Sequence, residues 1–148
     1  LEIGSSTDVI SSKTIFKEGD TLFGKLRPYL KKVVIAEFSG ICSTDILSIR
    51  PKTNIQPQFL FRVLSSDNTV AFAMQGAAGN IMPRTSWKEL KKLRFGLPSL
   101  SEQQRITSIL CSIDKNIDEK KNKLIQTQFL KKSLMQDLLA GKVRVSVN

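Results

Sequence analysis

The sequence predicts an α+β fold: a small mixed domain with a β-meander and short helices, followed by a long coiled-coil-forming helix. Three observations carry this expectation. Between Thr14 and Pro51, β-branched and apolar runs alternate with turn signals, while between Pro57 and Met74 apolar residues recur at helical spacing. From residue 99 to residue 140 there is neither Pro nor Gly, which leaves one uninterrupted helical stretch.

In chain order, "KEGDTLFGKL" places a Gly19-Asp20 turn before Leu22, Phe23 and Leu26, and "VVIAEF" is a β-branched run ending at the Ser39-Gly40 turn. "ICSTDILSIRP" then alternates from Ile41 to Ile49 and stops at Pro51, giving at least three strands in a meander. Pro57 suits a first helical position, and Phe59, Leu60, Val63 and Leu64 follow at helical spacing. Ser66 or Asp67 can cap a second short helix through Met74. "QGAAGNIMPRTS" interrupts the pattern, and Ser86 with Glu89 has the capping-box spacing for a short helix around "WKELKK". "LRFGLP" reads as a last strand ending at Pro98.

Ser99 and Glu102 repeat the capping-box spacing, so the long helix is expected to begin there. At 1.5 Å per residue its length is on the order of 60 Å. Ile106, Leu110, Ile113, Ile117 and Leu124 form one 3-4 spaced seam that resumes at Leu134 and Leu138, as helix-pairing residues would. Lys120, Thr127 and Lys131 interrupt it, and Ile125, Phe129 and Leu130 shift the apolar face, which disfavours a uniform parallel zipper. A helix folded back on its own domain is the alternative, although a domain this small covers only part of it. The expected division is residues 1–97 and residues 98–148, the second part ending in a short tail.

The chain has 148 residues, 41% of them hydrophobic and 24% charged, and a formal charge of +10 from 23 basic and 13 acidic side chains. Residues 1–98 carry 14 basic and 8 acidic groups and the remainder 9 and 5, so the bias is spread over both parts. Such a surface points to a polyanion such as nucleic acid. No apolar run approaches the length of a membrane span. Cys42 and Cys111 form no Cys-x-x-Cys pair, which fits a reduced cytoplasmic setting. There is no histidine, which removes His-based nucleophile activation, His-ligated metals and the commonest general acid/base.

The chemistry-bearing motifs are equally sparse. Glu89 and Lys91, with Asp67 upstream, are the nearest approach to a nuclease metal site, and Glu89 already serves a capping box. No phosphate-binding loop or dinucleotide fingerprint occurs, and no cofactor is expected. A binding constellation is present instead. "GKLRPYLKK" gathers Lys25, Arg27, Lys31 and Lys32 around Tyr29, and extended backbone would place Lys25, Arg27, Tyr29 and Lys31 on one strand face. Asn80, Arg84 and Thr85 lie in a Gly-rich loop that permits close backbone approach, and Ser43 and Thr44 add half-buried strand hydroxyls. A solvated hairpin and a plain connector account for the same residues without a ligand.

The succession "GDTLFGKLRPYLKKVVIA", "GICSTDILSIRP", "FLFRVLSSD", "GAAGNIMPRTSWKELKKLRFGLPSLSEQQRI" and "LKKSLMQDLLAGKVRV" resembles the specificity (S) subunit of type I restriction-modification enzymes. The resemblance implies a target recognition domain up to about Leu97 and one of the family's long conserved helices. It also implies a non-catalytic role: reading one half of a split double-stranded DNA sequence and docking methylation subunits, which carry S-adenosylmethionine, and restriction subunits, which carry ATP. A complete subunit has two recognition domains and two helices paired antiparallel. The chain, with one of each and a short lead before Gly19, is therefore expected to be a fragment or a shortened half-subunit that pairs with a second half or with itself. The competing expectations are an assembly or scaffold helix protein that reads no DNA and, behind it, a nuclease using Glu89 and Lys91.

Overall fold

The computed structural model describes residues 11–79 and 81–145. Among them five short strands form two antiparallel sheets. β1 (Lys13–Phe16) pairs with β4 (Gly40–Ser43), while β2 (Thr21–Gly24) lies between β3 (Val33–Ile35) and β5 (Ile46–Ile49). The expected meander is therefore corrected: β2 and β3 are sequential neighbours, but β4 leaves for β1 and β5 returns to the far side of β2. The run read as one strand over residues 41–49 breaks at its polar centre. There the Ser43 hydroxyl accepts the Asp45 N–H at 3.2 Å, a local bond that competes with ladder pairing and turns the chain.

Alternation along β2 buries Thr21 and Phe23 and leaves Leu22 and Gly24 half-buried. Phe23 meets Leu60 and Leu64 of α1 (Pro57–Ser65), Ala73 of α2 (Asp67–Gln75) and Leu90 of α3 (Trp87–Leu90), with Val33, Leu47 and Ile49 packed around them. Burying that one phenyl ring contributes about 2–3 kcal/mol. The helix starts follow their capping signals. Ser66 accepts from Thr69 N and Ser86 from Glu89 N, both at 3.3 Å. The expected last strand over "LRFGLP" is absent: residues 93–99 are irregular, with Gly96 and Pro98 each unsuited to a ladder.

Asp20 holds one end of the three-stranded sheet. Its side chain is only 2% exposed and accepts from Arg50 Nε and Nη2, both at 2.8 Å, and from Ser48 Oγ and Lys17 N, both at 2.9 Å. The Arg50 hydrogen bonds, opposed by burial and aided by Lys17 and Ser48, lower the carboxyl from 3.8 to about 2.

The chain divides into two compact units, Leu1–Thr107 and Ser108–Asn148. The helix α4 (Leu100–Leu139) begins within the first, where Ser99 Oγ accepts the Glu102 N–H at 3.3 Å. Gln103 in its first turns is completely buried. Its Nε2 donates to the carbonyls of Asn54 (3.0 Å) and Pro98 (2.9 Å), and its Oε1 accepts the N–H of Gln56, the residue that precedes α1 (2.9 Å). Thr107, also buried, returns its hydroxyl to the carbonyls of Gln103 and Gln104. Along the seam of α4, Ile106 and Leu110 are half-buried, whereas Ile113, Ile117, Leu124, Leu134 and Leu138 are all exposed.

Two stability measurements follow. Because the Asp20 pKa is depressed by folding, its contribution is complete above pH 3.8 and disappears as pH falls through about 2. With Arg50 60% exposed to screening solvent, that contribution is about 1–2 kcal/mol. Urea midpoints of the wild type should fall over this window, and those of Asp20→Asn should start lower and vary less; parallel pH profiles would refute the assignment. Gln103→Leu leaves two carbonyls and one N–H without their partner and should lower stability by about 1–3 kcal/mol. An unchanged urea midpoint would show that the Gln103 amide anchors nothing.

Candidate nucleic-acid interface

Lys25 is the junction at which three separate segments meet. Its N–H donates to Asp45 O at 2.8 Å, and its carbonyl accepts from Thr85 N at 3.1 Å. The next residues extend the seam, with a bridge between Leu26 and Arg84 and a bond from Arg27 N to Pro83 O at 2.8 Å. The basic segment of residues 25–32, the turn between β4 and β5 and the Gly-rich loop of residues 78–85 are thereby brought to one surface.

The basic segment differs from its expected form. Pro28–Leu30 is a 3-10 turn, so Lys25, Arg27, Tyr29 and Lys31 do not alternate along a strand. Proline fixes the φ that such a turn requires. Arg27 (φ 51°) and Lys31 (φ 49°) flank it in left-handed conformation, a strain of about 1–2 kcal/mol at each non-glycine residue. Tyr29 is half-exposed on the turn, and Lys32 packs its Cβ over Gly24, where an added methyl would lie 3.1 Å away.

The other candidates fall into distinct environments. Ser43 ends β4 and Thr44 begins the turn that follows, and both are exposed, which corrects the half-buried placement of the two and the strand placement of Thr44. Arg84 is half-exposed and ion-paired with Asp45, and Lys31 is paired with Asp67. Lys25, Arg27 and Lys32 have no ion-pair partner among the described residues. Thr85 is buried, and its Oγ1 has no hydrogen-bond partner among the described protein atoms, so its side chain is withdrawn from any duplex. Asn80 lies outside the described residues.

Sequence reasoning missed Trp87. It is half-exposed at the start of α3 and lines a shallow groove with Thr14, Lys25, Thr44 and Ser48. An aromatic just after a capping serine was the available signal. Glu89 bonds Lys92 Nζ at 2.7 Å, which lowers its pKa, and so is engaged within its own helical turn. Among the described residues no group of three or more acidic or cysteine side chains is arranged to hold a metal. No helix among them is long and apolar enough to cross a membrane.

The fold is thus a mixed α+β domain with basic side chains on the joined segments, followed by a long helix. The chain belongs to the type I restriction modification DNA specificity domain family, whose pattern matches residues 7–127. It is 30% identical over 139 residues to the type I restriction enzyme EcoDI specificity subunit of Escherichia coli, a match covering 91% of this chain and 31% of that protein. The type I restriction enzyme MjaVIII specificity subunit of Methanocaldococcus jannaschii is also 30% identical, over 138 residues, with 88% and 32% covered. Among solved structures, the HsdS subunit from Thermoanaerobacter tengcongensis superposes with a TM-score of 0.74 at 26% identity, covering 91% of this chain and 36% of that one. The chain thus spans about a third of the length of the relatives it matches.

Proposed function

We propose that this chain recognises double-stranded DNA as one half of a type I restriction-modification specificity subunit, performs no catalysis itself, and positions methylation and restriction subunits on the site it reads. The observation that supports this reading is the backbone bonding that joins three segments at Lys25, segments that between them carry Lys25, Arg27, Lys31, Lys32 and Arg84. Cations that are not neutralised by neighbouring carboxylates release counterions from a duplex, and half-exposed Tyr29 and Trp87 provide flat contact area beside them. S-adenosylmethionine and ATP would belong to the partner subunits, and the setting would be the cytoplasm.

The exposed seam of α4 supports a second component of the reading, an antiparallel helix pair with another half-subunit or another copy. If that seam were the whole function, the chain would be an assembly protein that reads no DNA. Duplex binding separates the two.

Affinity of the full chain for duplex DNA, measured from low to physiological salt, should fall steeply and linearly on logarithmic axes. Arg27→Gly is the informative variant, because it relieves a left-handed residue while deleting a guanidinium. It should keep or raise the urea midpoint and reduce the salt slope by about one. Salt-independent or absent binding would exclude DNA recognition by this surface. For the helix, sedimentation at micromolar concentration should give a dimer that Ile117→Lys converts to monomer. A wild-type monomer that also captures no methylation subunit would leave the seam without a pairing role.

A further inference from the structure

Ala78 and Arg84 exchange reciprocal backbone bonds, Ala78 N to Arg84 O at 3.1 Å and Arg84 N to Ala78 O at 3.0 Å. Gly79 turns the chain with φ 94°, where a Cβ would lie 3.2 Å from the Met82 carbonyl oxygen. The loop is fastened to the basic segment through Pro83 and Thr85, as described above. At its tip Ile81 is 90% exposed and Met82 52% exposed. Apolar side chains exposed together mark a contact surface, and the chemistry around them narrows what they contact. Lys25 and Arg27 stand on the strand-turn segment to which the loop is bonded, and Arg84 at its base is held by Asp45.

An apolar tip whose base is bonded to a basic segment matches a duplex groove, where phosphates line both edges and the thymine 5-methyl is the apolar feature of the major-groove floor. Resting on the DNA-recognition reading above, we propose that Ile81 and Met82 are base-reading residues that pack on a thymine methyl in the major groove while Lys25 and Arg27 hold neighbouring phosphates. The tip then supplies sequence discrimination and the cations supply affinity.

Uracil substitution isolates that methyl. The full chain is used to select its preferred duplex from a randomised pool, and each thymine of the selected site is then replaced by uracil in turn. One replacement should weaken wild-type binding about fourfold, the value of one buried methyl-sized group. Ile81→Ala or Met82→Ala should weaken binding to the thymine duplex by a similar factor, become indifferent to that replacement, and keep the wild-type salt slope because no charge is removed. Specific binding that tolerates every uracil, a selected site without thymine, or a uracil effect undiminished in both variants would overturn the base-reading role alone. Absence of any duplex binding would overturn it together with the DNA-recognition function.

Discussion

The register of β2 against β5 is the constraint on which the rest of the domain depends, and the Asp20 carboxylate fixes it. Asp20 lies just before β2 and gathers Arg50 and Ser48 from the end of β5, while at the opposite end of the ladder Lys25 N–H bonds Asp45 O. Between these clamps Thr21 opposes Ile49 and Gly24 opposes Ile46. A slip of one residue would turn Phe23 away from Leu60, Leu64 and Ala73 and expose the centre of the core. It would also break both clamps, so burial and polar pairing select the same register.

That register reaches the surface. With Lys25 set beside Asp45, the chain must turn at once to return as β3, and it does so through a proline-led 3-10 turn with left-handed residues on both sides. Two basic residues held in a conformation that disfavours them indicate that the position of this turn matters more than its local comfort. The ion pairs act in the same direction. Asp67 restrains Lys31 and Asp45 restrains Arg84, at the cost of neutralising part of the charge, while Lys25, Arg27 and Lys32 keep theirs.

The parts legible in the sequence were those decided by neighbours in the chain. Ser66, Ser86 and Ser99 each bond an amide three residues on, and the helices they introduce follow periodic apolar residues. The α+β class and the long helix rest on such signals. What was not legible is set by partners far apart. Asp20 read only as a turn residue because Arg50, thirty positions away, gives no local sign of the pair. The strand read over residues 41–49 had the right alternation, yet its halves belong to different sheets, a choice made by β1 and β2 rather than by the segment itself. The candidate interface was legible as three segments and not as one surface, since the backbone bonds that join them carry no side-chain signature. Thr85 was singled out for its place in a Gly-rich loop, and the fold buries its side chain, while exposed Ile81 and Met82 passed unremarked because apolar residues in a connector look like ordinary packing.

Gln103 explains why "LPSLSEQQRI" is more than a helix start. The site offers two carbonyls that need a donor and one N–H that needs an acceptor, all within one buried side chain's reach. A neutral amide answers both demands at once. A glutamate would face two carbonyl oxygens with a buried charge, and a lysine would leave the Gln56 N–H unanswered. The group satisfied by Oε1 is the amide at the start of α1, the helix that carries Leu60 and Leu64 into the core. The start of α4 is therefore built, through Gln103, into the hydrogen bonding of the first unit. Ile106 and Leu110 of the periodic seam are half-buried, whereas Ile113, Ile117, Leu124, Leu134 and Leu138 are exposed. The apolar pattern thus runs on in sequence while its exposure changes along the helix, half-buried at Ile106 and Leu110 and exposed from Ile113 on.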